Sequence, residues 1–193
     1  MSEAADTRFA RLAGFWSDFR ESPVAVAALI VIVSVVAMAV LAPLVTPQDP
    51  YNQETLELFD ARLPPGEVGS GGYVHWLGTD AAGRDVYSAI LYGLRTSLIV
   101  GLAAGFFALV LGTTVGLAAA YHGGRIEALI MRIIDLQLSL PAILLALVLV
   151  ALLGQGLPQL VGALVAAQYA YFARTTHGAA SAERRKDYIE AAL

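Results

Sequence analysis

Few side chains in this 193-residue sequence are placed for bond chemistry. Ser88, His75 and Asp85 are the residues that a hydrolase would recruit as nucleophile, base and orienting acid. Ser88 lacks the G-x-S-x-G turn that presents such a serine, so the sequence assembles no nucleophile with its base. Cysteine is absent, which removes disulfides, thiolate nucleophiles and cysteine-ligated zinc or iron–sulfur sites. His75, His122 and His177 are too scattered for a local metal cluster. There is no G-x-x-x-x-G-K-[ST], and Lys186 is the only lysine, so the chain is not itself a P-loop ATPase. A net charge of -4 without a basic stripe argues against nucleic acid as a partner.

The elements around these residues belong to a lipid solvent. The chain is 58% apolar and 15% charged, where soluble domains carry roughly 45–50% and about 25%. Val24 to Ala42 is uncharged and long enough to cross about 30 Å of hydrocarbon. Its length and the further apolar stretches favour an uncleaved anchor over a signal peptide. Thr96 to Tyr121 is a second uncharged stretch, and Leu136 to Ala173 a third, too long for one crossing. Gly154-Gln155-Gly156-Leu157-Pro158-Gln159 breaks it into an antiparallel pair, Leu136 to Leu153 and Leu160 to Ala173. The expected fold is therefore an all-α, polytopic integral membrane protein with four transmembrane helices.

If the N-terminus is cytoplasmic, Arg8, Arg11, Arg20, Arg125, Arg132, Arg174, Arg184, Arg185 and Lys186 lie inside, and only Arg62, Arg84 and Arg95 outside. That is nine of the twelve basic residues, as the positive-inside rule demands. The expected organisation is a cytoplasmic segment 1–23, a first transmembrane helix 24–45, an extracytoplasmic segment 46–95, and a core 96–193 with three transmembrane helices.

Gly101, Gly105, Gly112 and Gly116 fall within about 60° of one another on a helical wheel, with Ala108 and Ala119 beside them. Such a stripe lets another helix approach closely; a helix sliding in a transporter bundle and a statically packed one both fit. Arg132 and Asp135 stand at i and i+3, close enough to pair, and Pro141 kinks the third span. A moving gate and an interfacial anchor both fit this boundary. No ionisable residue lies within a span, which counts against a proton relay or ion-coupled pump. Outside, Pro64-Pro65-Gly66 and Gly69-Ser70-Gly71-Gly72 read as a flexible connector, followed by a cap at Thr79 or Asp80. Val86, Ile90 and Leu94 then form one face of an interfacial helix, with Trp76, Tyr87 and Tyr92 at headgroup level. In the tail, Ser181 can cap a short helix whose apolar edge is Tyr188, Ile189, Ala192 and Leu193, fit for docking or for beginning another packed helix.

Several blocks, in order, resemble the second membrane subunit of bacterial ATP-binding-cassette importers for dipeptides, oligopeptides and nickel. They are Leu41-Ala-Pro-Leu-Val-Thr-Pro-Gln-Asp-Pro50, His75-Trp-Leu-Gly-Thr-Asp80, Gly83-Arg84-Asp85-Val86, Gly93-Leu-Arg95-Thr-Ser97-Leu, and Met131-Arg132-Ile-Ile-Asp135 through Pro141. Asp187-Tyr188-Ile189-Glu190-Ala191-Ala192 resembles the start of the cytoplasmic EAA loop, which implies an ATPase-coupling role for Asp187, Tyr188, Glu190, Ala191 and Ala192. The resemblance implies the type I importer permease fold with six spans, so the chain is expected to be truncated within that loop. It also implies a bacterial inner-membrane location, a paralogous permease, two cytoplasmic ATPases that bind ATP and Mg, and an extracytoplasmic solute-binding protein. No cofactor is expected on this chain. The runner-up expectation is a truncated, transport-inactive scaffold in the lipid bilayer that keeps partner binding; an intramembrane hydrolase comes third.

Overall fold

The computed structural model describes residue 14, residues 16–52, residues 58–184 and residue 186. The first helix, α1 (Pro23–Val45), starts where Ser22 accepts the Ala25 N–H and Pro23 occupies the first turn. It ends at Thr46, whose N–H and hydroxyl both return to the Ala42 carbonyl. A short 3-10 turn (Leu58–Asp60) and a two-stranded antiparallel hairpin follow, β1 (Glu67–Val68) with β2 (Val74–His75), in the register Glu67 to His75 and Val68 to Val74. The remaining helices are α2 (Val86–His122), α3 (Gly124–Leu138), α4 (Ala142–Leu153) and α5 (Leu157–Arg184).

Two compact units divide the chain at residues 98 and 99. In the first, the glycine-rich stretch expected as a flexible connector is a folded hairpin. Its turn is fixed because Ser70 donates its N–H to both carboxylate oxygens of Asp60, at 3.0 and 2.8 Å. Gly78 sits at φ +75°, and a Cβ there would run into the Leu63 carbonyl, so chain chemistry as well as space requires glycine. The expected interfacial helix is not separate either. Val86 to Leu94 are the opening turns of α2.

In the second unit α5 carries the core. Its buried Ala163, Ala167, Ala170 and Ala173 recur at intervals of three and four, which places them on one face. Ile134 joins Ala170 and Ala173 at the centre, with Val115, Ile130, Met131 and Leu138 packed around them. The turn after Leu153 forms at Gly154, where φ reaches +87°, and α4 and α5 pack together across it.

The chain is helical and polytopic as expected, and among the described residues the candidate crossings are these. By length and composition α1 and α2 can each cross a membrane, and α3 with α4 could be a third, broken crossing bent by 90°. The third span, expected as Leu136 to Leu153 with a kink, is interrupted outright. Ser139 closes α3, Pro141 is extended at ψ 119°, and α4 restarts beyond it with only 12 residues, roughly 18 Å. The last helix is long, but Gln159, Gln168, Arg174 and His177 make it far less apolar than α1 or α2.

Candidate functional site

The residues singled out for gating and packing meet in the second unit. Gly112 and Gly116 face α5 at close range. A Cβ on Gly112 would strike the Tyr169 carbonyl and come within 2.6 Å of Phe172 Cβ. One on Gly116 would strike the Ala173 carbonyl and lie 3.1 Å from the His177 nitrogen. A Cβ on Gly101 or Gly105 would meet open space. One stripe on the wheel is therefore two halves in the fold, and only the C-terminal half seats a helix among the described residues.

The expected Arg132–Asp135 pair is replaced by another. Asp135 forms its ion pair with Arg174, across from α3 to α5. A partner on a second helix lets Asp135 tie two elements together, which an i to i+3 pair cannot do. About two turns before Asp135 on the same helix lies Glu127, in the first turn of α3, where a carboxylate suits the helix dipole. His177 Nε2 lies 2.6 Å from Glu127 Oε1, and because a carboxylate only accepts, that nitrogen carries the proton. Gln137 Nε2 donates to the Ala166 carbonyl at 2.5 Å, a further polar link between α3 and α5. Gly124, Ala128, Met131 and Gly178 line the rest of this polar groove with Glu127, Asp135, Arg174 and His177. Ser181 is not a cap: it lies inside α5, with its hydroxyl 3.3 Å from His177 Nε2. Arg184, at the end of α5, donates from Nη1 to the Ala120 carbonyl at 2.7 Å. Arg174, His177, Glu127 and Arg184 were not singled out from sequence as a set. Their signal was available in the four-residue and three-residue spacing of polar positions on an otherwise apolar or small-residue helix. The coupling residues Asp187, Tyr188, Glu190, Ala191 and Ala192 lie outside the described residues.

The first unit holds a second polar assembly, and it draws together three of the sequence blocks. Gln48, Asp60, His75, Thr79, Asp85 and Ser88 are all buried. Asp85 is the hub. Its N–H donates to Gln48 Oε1 at 2.8 Å, Oδ1 lies 2.9 Å from His75 Nδ1, and Oδ2 accepts from the Ser88 N–H at 2.7 Å and hydroxyl at 2.6 Å. Asp85, not Thr79 or Asp80, thus caps the start of α2. Thr79 instead donates to the Asp60 carbonyl and accepts the Leu63 N–H at 2.8 Å. Asp80 accepts the N–H groups of Ala82 and Arg84 and the Arg84 guanidinium, at 2.8, 3.0 and 2.8 Å. Desolvation, the largest single influence on Asp80, works upward, but these backbone and guanidinium contacts together hold its carboxyl below the usual range.

His75, Asp85 and Ser88 do come together, but in the wrong order for nucleophilic catalysis. Asp85 stands between the other two, Ser88 gives its proton to a carboxylate, and all three are buried to 1% exposure or less. A triad needs the histidine next to the serine. This cluster is scaffold: it fastens the segment after α1 and the hairpin to the first turn of α2. Among the described residues no group of three or more His, Cys, Asp or Glu is arranged to hold a metal ion.

Two helices long and apolar enough to cross a membrane, and a broken helix pair beside them, define a polytopic membrane protein. Residues 11–65 match the N-terminal TM domain of oligopeptide transport permease C, and residues 108–193 match the binding-protein-dependent transport system inner membrane component. The chain is 34% identical over 175 residues to the dipeptide transport system permease protein of Haemophilus influenzae, an alignment covering 91% of this chain and 58% of that one. It is 36% identical over 178 residues to the di/tripeptide transport system permease protein of Pseudomonas aeruginosa, covering 92% and 57%. The glutathione transport system permease protein of Pectobacterium atrosepticum is also 36% identical over 178 residues, covering 92% and 56%. The chain belongs to this family of binding-protein-dependent permeases. It spans a little over half the length of the curated relatives it matches.

Proposed function

We propose that the chain is a membrane-spanning permease subunit of an ATP-driven importer, forming part of the pathway by which short peptides or a related small solute cross the bacterial inner membrane. The observation that carries this reading is the succession, along one helical chain, of a permease N-terminal TM segment and an inner-membrane transport component. No Walker motif is present in the sequence, so the energy comes from elsewhere: two cytoplasmic ATPases that bind ATP and Mg. A paralogous permease completes the pathway, and an extracytoplasmic binding protein delivers the solute. The distribution of basic residues supports a cytoplasmic N-terminus and an extracytoplasmic segment 46–95. The relatives are named for dipeptides, di/tripeptides and glutathione, which supports a short peptide as the solute.

In this reading Glu190 accepts an ion pair or charged hydrogen bond in an ATPase cleft, and Ala191 and Ala192 leave room for close approach. In the assembled transporter, Glu190→Lys should release the ATPase or uncouple ATP turnover from uptake while the permease stays inserted. Ala191→Trp should do the same by steric exclusion. The assay is co-purification of the ATPase with uptake of a radiolabelled dipeptide at matched membrane levels. Normal binding and normal uptake in both variants would remove the coupling assignment, and wild-type uptake in cells lacking this subunit would remove the permease reading.

A further inference from the structure

Arg184 occupies a position that neither the family matches nor the relatives' names assign. It is the last residue of α5, and its guanidinium reaches 64 positions back in sequence to the Ala120 carbonyl, at 2.7 Å. Ala120 lies in the final turn of α2, among the last four carbonyls, which have no partner further along the helix. A cation there answers both the open acceptor and the negative end of the helix dipole. The seat is shaped for it. Gly123 adopts φ +68° at the corner between α2 and α3, and a Cβ on it would come within 3.0 Å of Arg184 Nη1. Three ties consequently run along the same stretch of α5: Arg174 to Asp135, His177 to Glu127, and Arg184 to the corner. The first two hold α5 to the body of α3. The third alone reaches the end of α2, and it stands next to the segment that resembles the coupling loop.

We infer that Arg184 is a positioning residue for energy coupling: it ties the end of α5 to the corner between α2 and α3, so that displacement of that end is carried to the broken helix pair at 139–141. This rests on the permease reading above. The α3 helix runs from that corner to the break, with Asp135 one turn before Ser139, so a shift at Gly123 is delivered along a rigid rod to the bend. Without the strut the ATPase is still retained, but displacement of the end of α5 no longer reaches the corner.

The test uses the assembled transporter in sealed proteoliposomes, with wild type, Arg184→Ala, Arg184→Met and Arg184→Lys compared for ATPase co-purification, ATP turnover and uptake of a radiolabelled dipeptide per ATP. Arg184→Met keeps the aliphatic stem and removes the donor; Arg184→Lys keeps a donor cation. The expected result is normal ATPase retention in all four, with uptake per ATP reduced about fivefold or more in the Ala and Met variants and at least half restored in the Lys variant. A fivefold change is the equilibrium factor of a net hydrogen bond of about 1 kcal/mol. Wild-type uptake per ATP in Arg184→Met overturns the inference, as does loss of the ATPase from it, since that would make Arg184 part of the docking surface. Equal loss in the Lys and Met variants overturns it too. Failure of the permease reading is distinct: the wild-type complex itself would show no ATP-dependent uptake.

Discussion

Asp85 is the residue on which the first unit depends most. It is fully buried and satisfies His75 and two groups of Ser88, so its removal leaves three donors facing a low-dielectric interior. Asp85→Ala should cost about 3 kcal/mol or more, the range for stripping one partner from a buried charged cluster. Amide hydrogen exchange across residues 60–80 should rise sharply in that variant and less in Asp85→Asn, which keeps an acceptor. Unchanged exchange in Asp85→Ala would mean that the hairpin is held by its own turns. Asp80 gives a pH-dependent counterpart. Its folded pKa is depressed, so its contribution is present in full above the ordinary aspartate value of about 3.9 and is lost as the pH falls through the folded value. The difference in thermal stability between wild type and Asp80→Asn should thus be constant at neutral pH and vanish in acid. A difference that persisted to about pH 2 would contradict the depressed pKa.

At the scale of elements, the two halves of the glycine stripe should behave differently. Leu at Gly112 or Gly116 must displace the backbone of α5, an overpacking that typically costs about 1 to 3 kcal/mol. Leu at Gly101 or Gly105 meets open space in this chain. Gly112→Leu should therefore lower the midpoint of detergent-induced unfolding while Gly105→Leu leaves it near wild type. Equal loss at both would show that the N-terminal half of the stripe also seats a helix. The spacing of the glycines was legible from the sequence, since it needs only the helical period. Which of them touch α5 was not, because that depends on where α5 crosses, and α5 is placed by its buried alanines. The break at Pro141 has the same character. A proline predicts a disturbance, but a bend of 90° follows only when Ser139, Leu140 and Pro141 all leave the helix and α4 finds its own packing against α5.

For the whole molecule, the basic residues make a topological prediction that the structure refines in one detail. A cysteine at Gly69 would collide with Asp60 and His75, whereas Val68 on the hairpin is 63% exposed. Val68→Cys should be labelled by a membrane-impermeant maleimide in intact spheroplasts. Labelling only after lysis would invert the orientation drawn from the positive-inside rule. Composition together with uncharged stretches as long as Val24 to Ala42 determined that the chain is a helical membrane protein, because hydrocarbon tolerates few charges and about 20 apolar residues in a row cross it as a helix. The sequence likewise carries no P-loop, because that phosphate cradle needs particular residues at fixed local spacing. Only the tertiary structure decided that His75, Asp85 and Ser88 form a fastening rather than a triad, and that Asp135 belongs to Arg174 rather than to Arg132. Sequence spacing ranks neighbours on one element, but a carboxylate pairs with whichever donor the packing brings within reach, and for Asp135 with Arg174 and Asp85 with His75 that donor comes from a different element.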